Sequence, residues 1–74
     1  MEKARTAKAG AVIGQLYALM GNRIEELCEP LTALTGHEVT QATLDDWRAA
    51  REDVPRDAYN YMEDKLAAEE ERLR

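Results

Sequence analysis

Hydrophobic residues recur along the first half of the chain with a helical period. Ile13, Tyr17, Met20, Ile24, Leu27, Leu31 and Leu34 follow one another at alternating steps of four and three residues, which lines them along one face of a helix or of successive helices. A shorter pattern comes next, in which Val39 precedes a helix whose inward face carries Leu44 and Trp47. Tyr59, Met62 and Leu66 then form the inner face of a last helix. The expectation is an all-α fold, a small bundle of four or five helices making a single domain over residues 1–74.

Polar and special residues set the boundaries. Leu27, Leu31 and Leu34 share a face that should end at Thr35-Gly36, because glycine accepts the left-handed backbone of a helix terminus. Thr40 stands where an N-cap is wanted, its hydroxyl placed to accept from the N–H of Ala42 or Thr43, and a helix from about Gln41 to Ala50 follows. Upstream, Gly21-Asn22 is a plausible break, with Asn22 and Glu25 in the spacing of an N-cap and partial capping box. Pro30 leaves two alternatives: a helix from Arg23 kinks there, or a short helix starts afresh at Pro30 and runs to Leu34. Pro55 suits the first turn of the last helix, about residues 55–72, with Asp53 or Val54 as cap and Asp57 near its positive end. The tail AAEEERLR has only Leu73 to bury and reads as solvated or frayed.

Helix, glycine turn and capped helix with an inward tryptophan make the outline of a helix-turn-helix over about residues 23–50. The spacing of Val39, Leu44 and Trp47 resembles that of the phage-encoded helix-turn-helix regulators, the lambda CII-like and Cro-like proteins. The resemblance covers roughly Leu27 to Met62, and it departs in the turn, where Thr35 to Val39 make a longer connection than the standard motif has. It implies a small sequence-specific transcriptional regulator that binds operator DNA as a homodimer. In that arrangement the outward N-terminal part of the second helix enters the major groove. Thr40, Gln41 and Thr43 would then face bases, with Gln41 best suited because its amide can pair bidentately with adenine. Arg48, Arg51 and Arg56 would reach phosphates, with Lys3, Arg5 and Lys8 as a basic arm; Thr40 also has the simpler reading of a cap alone, and the cations that of solvated surface charge.

Charge complicates this picture. The net charge is −5, and it is uneven: residues 1–23 hold four basic side chains against one carboxylate, residues 24–74 six against fourteen. DNA binding needs phosphate neutralisation, and Asp45 and Asp46 would set two carboxylates against it. The alternative is an acidic protein-interaction module, an inhibitor or adaptor that presents Asp45 and Asp46 to a basic host protein, with Tyr17 and Met20 as further contacts. The four-and-three stripe likewise has two readings, an internal core or the seam of a dimer. A core this small makes self-association a reasonable expectation.

Other chemistry has little to stand on. One cysteine, Cys28, forms no internal disulfide, and with a single histidine, His37, there is no zinc-ligand cluster. Gly10, Gly14, Gln15 and Tyr17 interrupt the apolar run near the start, so neither a signal nor a membrane segment is expected and the chain reads as cytoplasmic. Glu25-Glu26 and Asp45-Asp46 are sequence neighbours that diverge by roughly 100° on a helix, and no serine is present. Neither an enzyme nor a cofactor is expected. Trp47 is assigned to the core, with an exposed interface anchor as its other reading. One of Tyr59 and Tyr61 should be buried and the other exposed, Cys28 small and in the core, and His37 exposed in the turn.

Overall fold

Helical residues fall into three uninterrupted stretches, 2–35, 41–48 and 56–72, in a computed structural model that describes residues 2–73, with side chains from Lys8 to Leu73. The first stretch joins α1 (Glu2–Met20), a 3-10 segment (Gly21–Leu27) and α2 (Cys28–Thr35); α3 (Gln41–Arg48) and α4 (Arg56–Arg72) follow. No strand occurs among the described residues, so the all-α expectation is met, while three stretches replace the four or five separate helices expected. The difference lies at Gly21-Asn22, where the chain changes direction without leaving helical hydrogen bonding.

Length shows how sharp that change is. Run straight as an α-helix, the 34 residues of the first stretch would span about 51 Å, yet the longest extent of the molecule is 32 Å. Gly21 sits at this change of direction, with φ at +56° and open space where a Cβ would sit. The Asn22–Glu25 capping box is not formed, because Met20 occupies the cap position of the 3-10 segment and no side chain caps it. Pro30 is resolved as well. A helix starts afresh at Cys28, two residues ahead of the proline, so Pro30 falls in the first turn, where no backbone N–H is needed.

The four-and-three stripe is the internal core of one chain. Ile13, Met20, Ile24, Leu27 and Leu31 are buried together with Leu44, Trp47 and Met62 in a single cluster, and Val39 and Val54 close it from the two connections. Tyr17 is half-buried and Leu34, at the end of the stripe, is 46% exposed. Trp47 is in the core, Cys28 packs partly against it and His37 is exposed. Tyr59 and Tyr61 do not divide as expected: both are half-buried, and the Tyr59 hydroxyl donates to Glu63 Oε2 at 2.8 Å. No described helix is long and apolar enough to cross a membrane.

Two close contacts position the elements. At α1, a Cβ on Gly10 would lie 2.9 Å from the Arg48 carbonyl oxygen, so the missing side chain is what lets the end of α3 lie against α1. α3 stops at Arg48, short of the expected Ala50, because Ala50 takes φ +62°. The N–H groups of Ala50 and Arg51 then close on the carbonyls of Trp47 (3.1 Å) and Asp46 (2.8 Å), a Schellman ending with alanine in the usual glycine place. A left-handed alanine costs about 1–2 kcal/mol, which is why sequence reasoning carries the helix on.

α4 runs to Arg72, and the tail departs from the solvated reading at Glu69, which lies on the same inward face as Met62, buried to 4% exposure. Arg23 Nη2 of the 3-10 segment reaches Glu69 Oε1 at 2.6 Å, while Lys65 Nζ (3.4 Å) and Arg72 Nη1 (3.3 Å) approach Oε2. The Arg23 hydrogen bond, with the charges of Arg23 and Arg72, holds the Glu69 carboxyl below its ordinary range against the opposing effect of burial.

Two predictions test this packing. Gly10→Ala should lower stability, the clash outweighing the gain of about 1 kcal/mol in helix propensity, whereas Gly14→Ala, whose new Cβ meets nothing closer than 3.9 Å, should raise it by about that amount; urea melts of both variants measure the contrast. A depressed carboxyl contributes stability above its unfolded pKa and loses it as pH falls through the folded one. The gap in stability between the wild type and Glu69→Gln should therefore be widest near neutral pH and shrink below the ordinary glutamate range. A gap that does not change with pH would show that the ion pairs contribute nothing to folding.

Candidate functional site

Local sequence builds α3 and the connections on either side of it. α2 ends at Gly36, with φ +74° and its N–H on the Thr32 carbonyl. Thr32 Oγ1 accepts from the Val39 N–H at 2.8 Å, which folds the connection back so that Val39 enters the core. Thr40 caps α3 as expected, its hydroxyl accepting from the Thr43 N–H at 3.3 Å while Thr43 Oγ1 accepts from the Thr40 N–H at 3.2 Å. Both threonine hydroxyls are thus committed to a reciprocal capping box, in which Thr43 replaces the usual glutamate or glutamine.

The remaining candidates divide by surroundings. Gln41 is exposed at the first turn of α3, with no hydrogen bond among the described residues. Four and seven residues on, Asp45 and Arg48 share its face. Asp45 Oδ1 accepts from the Tyr17 hydroxyl at 3.0 Å, and the Arg48 guanidinium lies 5.5 Å from the centre of the Tyr17 ring, so one tyrosine of α1 holds both. Partial burial, and then the Asp45 bond, push the Tyr17 hydroxyl above the ordinary tyrosine pKa. Arg51 Nε meets Asp46 Oδ1 at 2.8 Å, an exposed pair worth about 0.2–1 kcal/mol. Arg56 is exposed at the start of α4 and has no ion pair among the described residues.

Some expected contacts are not brought together. Met20 is buried in the core and is withdrawn from any partner surface. Lys8 is exposed, while the side chains of Lys3 and Arg5 lie outside the described residues. Among the described residues no group of histidine, cysteine and carboxylates is arranged to hold a metal ion.

On the far side of Thr43 and Trp47 lies a feature that sequence reasoning missed. A cavity of about 330 Å³ opens between the connection after α2, the flank of α3 and the connection before α4. Glu38, Glu52 and Asp53 line it together with His37, over an apolar lining of Val39, Trp47 and Pro55. Its residues come from three separate stretches of chain, so no local spacing announces it; the acidity of the two connections was the only available signal.

No protein-family model matches this sequence, and comparisons with curated proteins and with solved structures return no match.

Two substitutions at neighbouring positions separate structural from available side chains. Thr40→Ala should cost about 1 kcal/mol through loss of the cap, whereas Gln41→Ala should leave stability within about 0.5 kcal/mol of wild type. Thermal melts of the two variants give the comparison, and equal losses would mean that Gln41 is part of the cap after all.

Proposed function

We propose that the chain is an acidic helical interaction module, an inhibitor or adaptor whose partner is a basic protein surface. The observation that carries this reading is the charge around α3. Three carboxylates without ion-pair partners among the described residues, Glu38, Glu52 and Asp53, stand along one flank. On the other side Asp46 neutralises Arg51 and Asp45 sits between Gln41 and Arg48. Duplex DNA brought to this helix would meet carboxylates beside nearly every cation, and the threonine hydroxyls that would face bases are spent on the cap. A basic surface meets complementary charge instead, which speeds encounter and selects partners. The reading gives the chain no catalytic role.

One observation favours a second reading, a phage-type regulator that binds operator DNA as a homodimer. Gln41 and Arg48 are both exposed on one face of α3, within a helix–connection–helix order that a helix-turn-helix shares. Anisotropy of labelled duplex DNA separates the two, using a random-sequence pool and the region flanking the chain's own gene at low and moderate salt. The interaction module predicts no saturable binding to either at low salt. Saturable binding to the flanking DNA that survives moderate salt, weakens on all sequences with Arg48→Ala and changes preference with Gln41→Ala, would replace it with the regulator.

A further inference from the structure

The cavity beside α3 has a composition that selects its occupant. Pro55 and the edges of Val39 and Trp47, each only 3% exposed, make one part of its wall apolar, and the acidic residues Glu38, Glu52 and Asp53 line another. All three are exposed, and none has an ion pair or hydrogen bond among the described residues. Like charges gathered at one slot repel one another and focus a negative potential into it, so an entering cation is drawn in and relieves the repulsion. At about 330 Å³ the space stands at the small end of ligand sites, which run from roughly 300 to 1,000 Å³. It suits one long side chain and not a helix.

Between the two long cationic side chains the walls favour arginine. A guanidinium offers five donors in a plane, serves more than one carboxylate at once, and is weakly enough hydrated to rest against apolar and aromatic groups. A lysine ammonium is a compact, strongly hydrated point charge that gives up more water to enter. We propose that this cavity is a docking slot for an arginine side chain of a basic partner protein. Its guanidinium is drawn by Glu38, Glu52 and Asp53, and its methylene groups lie against Pro55 and the exposed edge of Trp47. The proposal rests on the interaction-module reading and names the partner chemistry of one surface of that module.

Trp47 is the one tryptophan of the chain and lines the slot, so its emission reports entry directly. The full-length protein is titrated with a blocked peptide of alternating glycine and arginine, and separately with its glycine–lysine counterpart, following Trp47 emission and binding heat. The arginine peptide should bind saturably and shift the emission. The double variant Glu52→Gln/Asp53→Asn should weaken it by about fivefold or more, with Glu38→Gln as a second, independent variant on the other connection. Thermal melts matching wild type show that these surface variants are folded. Saturable binding with unchanged emission and no response to either variant would overturn the slot while leaving the module reading intact, because the peptide would then occupy another acidic surface. Equal affinity for the lysine peptide would overturn the choice of arginine, and no saturable binding of the arginine peptide would overturn the slot. Failure of the module reading shows separately, as saturable DNA binding by the unmodified protein.

Discussion

A positive φ at Gly21 turns the chain partway along one apolar stripe, and the rest of the molecule is arranged around that turn. Ile13 and Met20 before the glycine, and Ile24, Leu27 and Leu31 after it, would lie along the side of a rod if the helix ran straight. Because the backbone turns at Gly21, the two halves face one core, and α3 and α4 need only cover it. Any other residue there would adopt the same conformation at a cost of about 1–2 kcal/mol, a large share of what a domain this small has to spend. The 3-10 segment that follows keeps its backbone bonded while the direction changes, which is why no loop appears.

An unusual contact ties the 3-10 segment to α4. Arg23, two residues past the turn, reaches across to Glu69 near the end of α4, a separation of 46 residues in sequence. Glu69 takes a place on the inner face of α4 where a leucine would normally stand, and three cations gathered about it replace the missing apolar contact. A buried carboxylate is tolerated only when paired and hydrogen-bonded.

At the other end of the bundle, glycine and alanine act by what they omit or endure. The bare Cα of Gly10 admits the backbone of Arg48, so that Tyr17 can reach both Asp45 and Arg48. Ala50 accepts a left-handed backbone to end α3, and the connection beyond it carries Glu52 and Asp53 to the flank opposite Tyr17. The helix with exposed Gln41 therefore stands between two differently charged surroundings, one where aspartates and arginines neutralise each other and one where the carboxylates have no ion pair among the described residues.

Much of this was legible in the chain. The four-and-three stripe from Ile13 to Leu31, the glycine terminus at Gly36, the Thr40 cap and the inward Leu44 and Trp47 follow from rules that act over a few residues, and the structure holds them apart from a half-buried Tyr17 and, at the end of the stripe, an exposed Leu34. Where the outcome depended on groups distant in sequence, local pattern was silent or misled. Whether the stripe served a core or a seam turned on one backbone angle at Gly21; the end of α3 turned on a strained alanine. Glu69 read as tail charge because its partner Arg23 is remote. The acidic slot beside α3 assembles from two connections and a helix flank, and only packing brings those together, since charge and volume at a surface belong to the fold and not to any one segment of it.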